Sequence, residues 1–395
     1  MILYALSILT ILVLLAFSVE MAVGGFKLKN LGSIAPEVHP PAPFVSIIVP
    51  ALNEETSIIE AMESLTTLDY EHFEIIAIND RSTDQTGSLL DQFARLHSKI
   101  RVMHISELPP DWLGKQHALQ EGAARAKGDF LLFTDADVKF EPSTLKRAIR
   151  RMQDNNLDHL TLLFGVVLPG SLLNMVVIEF GVNLACFLKP WKASDPKSIH
   201  SIGIGAFNLV RREAYEKIGG HRKIAMAPID DVLLGVLLKA KGFRQECLRG
   251  SQFVTVPWYH SLHEMIRGLE KNSFAALDYS MANVAAASIF MIIVGIWPYW
   301  AVAFTSGPTR VINAAIIGCS VLLFGSAAHV ADIPKRHLLW LPVSTYIRLY
   351  TLWRAVGITL YQDGMTWRGT FYPLPKLKAR HIPIHGGHHG KRSGK

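Results

Sequence analysis

The sequence predicts an α/β domain on a mostly parallel sheet, bracketed by apolar helices long enough to cross a membrane. Three observations carry this. From Phe44 onward, short apolar runs of strand length alternate with segments of helical spacing. Uncharged apolar residues concentrate at 2–19 and again from about residue 285, lifting the chain to 50% hydrophobic and its mean hydropathy to +0.24. Acidic residues recur just past the predicted strands, where sheets of this class gather ligands.

Taken in order, residues 1–26 predict an N-terminal anchor. The run 2–19 is uncharged and is followed, not preceded, by lysines (Lys27 and Lys29). That order predicts an uncleaved segment with its start outside and the following domain in the cytoplasm. Residues 27–43, with four prolines after Ala35, read as a linker. The α/β domain is predicted over 44–280, with strands at 44–50, 73–79, 100–105 and 129–135. Helices are predicted at 54–68, 84–97 and 115–127. Strands alternating with helices imply a sheet covered on both faces.

Inside this domain, 168–191 is apolar enough to suggest a crossing. A single crossing there would put Asp135 and Asp137 across the bilayer from Asp231, so the stretch is read as interfacial helices, or as a buried core helix. A C-terminal membrane region follows at 285–360, with spans near 285–304 and 311–330. Residues 338–360 contain Arg348 and Arg354 and are expected to be interfacial or re-entrant rather than to cross. The tail 361–395 has no acidic residue after Asp363, yet carries Lys376, Lys378, Arg380, Lys391, Arg392 and Lys395. It suits an anionic membrane surface or simple solvation. No nucleic-acid motif accompanies it, so nucleic acid is not an expected partner. The three cysteines have neither pairing nor metal-ligand spacing. Together these features predict a multi-pass protein of the cell membrane with its α/β domain in the cytoplasm.

Four short segments carry chemistry. Asp135 and Asp137, at i and i+2 past a buried strand, can face one way and share a hard cation, Mg2+ or Mn2+. The same pair would also serve as a solvated turn before Glu141-Pro142. In Asn79–Asp84, Asp80 ends a strand and can accept from a base or ribose, while Ser82–Asp84 can cap the next helix. Gly114-Lys115 opens a helix, a placement suited to phosphate. Asp230-Asp231 begins another helix, where carboxylates gain from the dipole and one can act as general base. Between them, Ser201–Asn208 has glycines that suit close approach of backbone to a ligand, or a turn.

These segments, VSIIVPALNEE (45–55), NDRSTDQT (79–86), GKQHAL (114–119), GDFLLFTDAD (128–137) and IDDVLLG (229–235), resemble the family 2 glycosyltransferases in order and spacing. The resemblance covers roughly 44–275 and implies a GT-A fold and a nucleotide-sugar donor, with a UDP-sugar expected. By resemblance, Pro50, Asn53, Glu54 and Asp80 contact the nucleoside. Lys115 and Asp135 lie near the diphosphate, Asp137 holds the metal with Asp135 beside it, and Asp231, next to Asp230, is the base of an inverting displacement. Asn79 stands where many members have an acid. No Q-x-x-R-W follows the base; the region reads WYHSLHEMIR (258–267). That departure argues for transfer of a single sugar. The anchor, the C-terminal spans and TWRGTFYPL (366–374) resemble the hopanoid-associated, carotenoid and ceramide-type lipid glycosyltransferases, which implies a lipid acceptor. A polyprenyl phosphate acceptor and a non-catalytic sugar-nucleotide-binding protein are the alternatives.

Overall fold

The computed structural model describes residues 1–331 and 333–384, which divide into two compact units. The sheet unit comprises Leu28–Val167, Pro190–Pro257 and the chain from Ala379. The helical unit comprises Met1–Lys27, Leu168–Lys189 and Trp258–Lys378. Of the basic tail residues, Lys391, Arg392 and Lys395 lie outside the described residues.

The sheet unit has ten strands: β1 Val45–Ala51, β2 Phe73–Asp80, β3 Ile100–Ile105, β4 Phe130–Phe133, β5 Lys139–Phe140, β6 His159–Leu163, β7 Gly165–Val166, β8 Asn208–Arg211, β9 Gln245–Arg249 and β10 Val254–Val256. Seven form one sheet in the order β3-β2-β1-β4-β8-β6-β9, and β5-β10-β7 form a small second one. β1 to β4 run parallel, as the alternating pattern predicts. β8 is antiparallel to both β4 and β6. Its direction was not legible in a four-residue strand, because periodicity reports burial and not strand sense.

The central strands are buried on both faces; Ile47, Ile48 and Ile75 are fully enclosed. Helices Ile58–Thr66, Thr86–Leu96 and Gly114–Arg125 follow β1, β2 and β3, each within a few residues of its predicted limits. The amino end of the sheet is closed by a polar lock. Ser46 Oγ donates to Glu74 Oε1 at 2.7 Å, and Lys127 and Gly128 amides donate to that pair. A Cβ on Gly128 would lie 2.4 Å from the Ser46 amide nitrogen, so only glycine fits. Buried Glu74 is thereby satisfied as structure, which leaves the carboxyl ends of the strands for chemistry.

The segment read as a linker is partly built into this unit. Leu31 is fully buried, the Arg249 amide donates to the Lys29 carbonyl at 2.8 Å, and Arg147 donates to the Gly32 and Ile34 carbonyls. One apolar residue among prolines gave no periodic signal, so this docking was invisible in the pattern.

Among the described residues, four helices are long and apolar enough to cross a membrane: Ile2–Lys27, Ser171–Lys192, Met281–Phe304 and Gly307–Val330. Residues 168–191 thus contain one long helix rather than several. The two C-terminal spans each begin about one helical turn before their predicted starts. Ser280 caps the first by accepting from the Asn283 amide. That helix contains a π-helical segment at Ile292–Ile296. Leu341–Tyr361 is a further helix, followed by the hairpin Gly364–Trp367 and Thr370–Pro373.

Candidate active site

All the singled-out carboxylates lie in the sheet unit, and the strand ends explain how they meet. Asp80 closes β2 and is 3% exposed. The next residue, Arg81, adopts φ +62°, a left-handed turn that folds its side chain back. Its Nε and Nη2 then donate to the two Asp80 oxygens at 2.8 and 2.9 Å. Gly114 packs against this fork: a Cβ there would sit 2.5 Å from Asp80 Oδ2 and 2.6 Å from Arg81 Nη2. The glycine of Gly114-Lys115 therefore lets a helix start touch the Asp80–Arg81 pair.

Pro50 lies near the end of β1, and Asn53 lies in the loop that follows it. Asn53, at φ +55°, accepts from the Thr83 amide through its side-chain oxygen, and its own amide donates to Ser82 Oγ. The Glu54 amide donates to Thr86 Oγ1, and Glu55 accepts from the Gln85 amide. The 53–55 and 82–86 loops are thus bolted together. Asn53 is committed to that brace, while the Asp80 carboxylate sits behind it with its geometry fixed.

Beyond β4, Thr134 anchors the chain by donating to the Ala206 carbonyl at 2.9 Å. Asp135 follows and pairs with Lys115 Nζ at 2.5 Å; the same ammonium lies 3.9 Å from Asp230 Oδ2. Burial disfavours the Lys115 charge, but Asp135, then Asp230 and Asp231, outweigh it and raise its pKa. Asp231 accepts from the Gly205 amide at 2.9 Å and from the Val232 amide at its helix start. A Cβ on Gly205 would lie 2.8 Å from Asp135 Oδ2, and one on Gly203 1.8 Å from the Asp231 carbonyl oxygen. The glycines of 201–208 are what allow this loop to run between Asp135 and Asp231. Lys115, Asp135, Gly205, Asp230 and Asp231 line a recess of about 220 Å³, counting its open mouth.

Sequence reasoning missed His221, which also lines this recess. It is 1% exposed, its Nδ1 lies 2.8 Å from Tyr215 Oη, and its ring packs edge-on to Phe133. Burial, reinforced by the Lys115 charge, pushes its pKa down to about 3, so it is a neutral wall behind the lysine. It stands among Gly219, Gly220 and Arg222, where nothing in the pattern marks it.

Asp137 is half-buried, and burial, with Asp135 and Glu54 adding, pushes its pKa up to about 7. Among the described residues no Lys or Arg forms an ion pair with Asp137, and no group of three His, Cys, Asp or Glu could hold a metal ion. The chain itself therefore offers a hard divalent cation only the carboxylates of Asp135 and Asp137 here, and phosphate oxygens and water would have to complete its coordination.

Comparison with known proteins agrees with this geometry. Residues 46–219 match the family described as Glycosyl transferase family 2. The Bacillus subtilis (strain 168) protein named "Probable glycosyltransferase YdaM" is 29% identical over 201 residues, 49% of this chain and 46% of that protein. A beta-monoglucosyldiacylglycerol synthase of Nostoc sp. is 27% identical over 219 residues, 54% of this chain and 44% of the synthase. The chain thus spans about half the length of these curated relatives. Among solved structures, the mannosyltransferase PcManGT from Pyrobaculum calidifontis, in complex with GDP-Man and Mn2+, aligns at TM-score 0.55 and 18% identity, covering 91% of this chain and 99% of that one. Residues 46–219 are thus similar to glycosyl transferase family 2, and the sheet order agrees with the GT-A fold of that solved mannosyltransferase.

Proposed function

We propose that the protein is a membrane-bound inverting glycosyltransferase that moves one sugar from a nucleotide-sugar donor to a hydroxyl of a lipid acceptor. The observation that carries this reading is the convergence of Lys115, Asp135, Asp230 and Asp231, from three separate stretches of chain, on one recess at the carboxyl edge of the sheet. The nucleoside lies along Pro50, Glu54 and Asp80, with Asn53 holding that loop in place. Lys115 exchanges Asp135 for the donor diphosphate. Asp137 and Asp135 would hold Mg2+ or Mn2+, which would supply charge neutralisation for a departing diphosphate.

Asp231 takes the proton of the attacking hydroxyl. Each of its oxygens accepts one backbone amide hydrogen and keeps a further lone pair, so the carboxylate is aimed without being used up. Asp230, 5% exposed beside Lys115, holds that lysine rather than the acceptor. The lipid acceptor is supported by the four apolar helices and by the name of the Nostoc relative. Both flanks of Ser171–Leu188 belong to the same compact sheet unit, which supports that helix lying at the membrane surface instead of making a single crossing. The sheet unit then lies on one side of the membrane, on this reading the cytoplasmic one.

The test is to incubate membranes carrying the full chain with radiolabelled nucleotide sugars and Mg2+ or Mn2+, and to count label extracted into organic solvent. Lipid-phase label that vanishes with Asp231→Asn and with chelator is the expected result. Label that persists in both controls, or that appears only on water-soluble product, overturns it.

A further inference from the structure

The helical unit buries an ion pair that sugar transfer, as derived above, does not use. Glu179 lies in the middle of the apolar helix Ser171–Leu188 and is 4% exposed. Its carboxylate accepts from Ser344 Oγ at 2.5 Å, Thr345 Oγ1 at 2.9 Å and Arg348 Nη1 at 2.8 Å. A carboxylate has about four acceptor positions, so one remains. A charge buried among apolar helices is costly, so such a group is commonly kept for a purpose.

The pair forms one end of a recess with about 460 Å³ of unfilled space, counting its open mouth. Asn183 and Tyr299 share that polar end. The other walls are apolar, from Phe290, Met291 and Val294 on one helix and Ile317 and Phe324 on the next. The π-helical turn Ile292–Ile296 is part of this wall, and such turns cluster at functional sites. Gly295 lets it press against Thr345, since a Cβ would sit 2.6 Å from Thr345 Oγ1. Nearby side chains on the same helix, Ile289 and Ile292, are exposed, as suits a surface facing acyl chains.

We propose that this recess binds a neutral, hydroxyl-bearing lipid, with its hydroxyl end at Glu179 and its chains along the apolar walls. The choice follows from charge. Glu179 and Arg348 cancel, so the polar end offers hydrogen bonds without net charge. A phosphate-headed lipid would bring its anion against a carboxylate already held by its one guanidinium. The inference stands apart from the proposed function, because a hydroxyl held at Glu179 is not the one presented to Asp231, and it is read without any turnover.

The experiment uses the full chain in membranes, without donor, and two diazirine-bearing probes with identical chains: a diacylglycerol and a phosphatidic acid. Diacylglycerol is expected to label peptides of 281–330 at least tenfold over phosphatidic acid. Glu179→Gln leaves Arg348 charged and unpaired, and should cut that preference at least fivefold by admitting the phosphate. Ser320→Phe narrows the recess without touching the pair, and should lower diacylglycerol labelling several-fold. Equal labelling by both probes, or a preference unchanged in Glu179→Gln and labelling unchanged in Ser320→Phe, overturns the proposal and leaves a purely structural ion pair. Selective labelling in a protein that transfers no sugar would sink only the transferase reading. Transfer to lipid without selective labelling would sink only this one.

Discussion

In the sheet unit, Asp135, Asp230 and Asp231 surround Lys115 and Asp137 has no basic ion-pair partner among the described residues, whereas in the helical unit Glu179 meets an arginine and two hydroxyls. The first arrangement is short of positive charge and the second is balanced. A half-open recess beside water tolerates an excess of carboxylate, because solvent screens it until a cation and a diphosphate arrive. A carboxylate among apolar helices has no such screen and must have its charge paired where it stands. The same residue type therefore points to opposite ligands: a metal and an anion in one unit, a neutral hydroxyl in the other.

The sharpest way to break the comparison is at Asp231. Asp231→Asn keeps the shape and one of the two amide contacts, since its NH2 cannot accept, and removes the proton acceptor. Transfer to lipid should fall on the order of 100- to 10,000-fold while nucleotide binding is kept. A loss under tenfold would move the base elsewhere. Gly205→Ala comes next. Its Cβ would crowd Asp135 Oδ2 at 2.8 Å and Lys115 Nζ at 3.3 Å, both ends of side chains that can shift. The fold should survive, as read by an unchanged melting temperature, with kcat/KM down about 10- to 100-fold from displaced charges.

A third measurement probes the uncompensated charge directly. The folded protein raises the Asp137 pKa from 3.8 to about 7, so it holds this proton more tightly than the unfolded chain does. Between about pH 4 and 7 the group therefore makes the fold lose stability as pH rises. A metal needs the carboxylate, so Mn2+ affinity should drop by up to about tenfold for each unit below about pH 7. Calorimetric titrations with Mn2+ across about pH 5 to 8 would show it, and Asp137→Asn should flatten the profile. A profile already flat in the unaltered protein would remove Asp137 from the metal site.

Much of the sheet unit was legible because its signals are local. β1, β2 and β3 fall within a residue of their predicted limits, since each is an apolar run bounded by turn chemistry. Asp80, Lys115, Asp135 and Asp231 could be singled out because strand ends and helix starts have recognisable sequence. What the pattern could not show depends on distant partners. The antiparallel β8 is fixed by pairing with β4 and β6, His221 acquires its place from Tyr215 and Phe133, and Leu31 is buried by a docking that no periodicity announces. Glu179 was visible in the sequence only as a flaw in an apolar run. Its partners lie 165 to 169 positions away, so nothing local distinguished a buried pair from an interfacial charge.

The smallest effect tests the balance in the helical unit. Ser344→Ala deletes one of the three hydrogen bonds to Glu179 and leaves the Arg348 pair and Thr345 in place. A hydrogen bond to a charged group contributes about 1.5–3 kcal/mol, but the vacated carboxylate position can be refilled by water or by the hydroxyl of a bound lipid. Measured in detergent without lipid, the variant should unfold more easily by about 1 kcal/mol. Added diacylglycerol should then stabilise Ser344→Ala more than the unaltered protein, because its hydroxyl finds two acceptor positions where one was free. Equal stabilisation of both would mean that the lipid does not reach Glu179, and the contrast between a cation-seeking unit and a hydroxyl-seeking one would lose its second half.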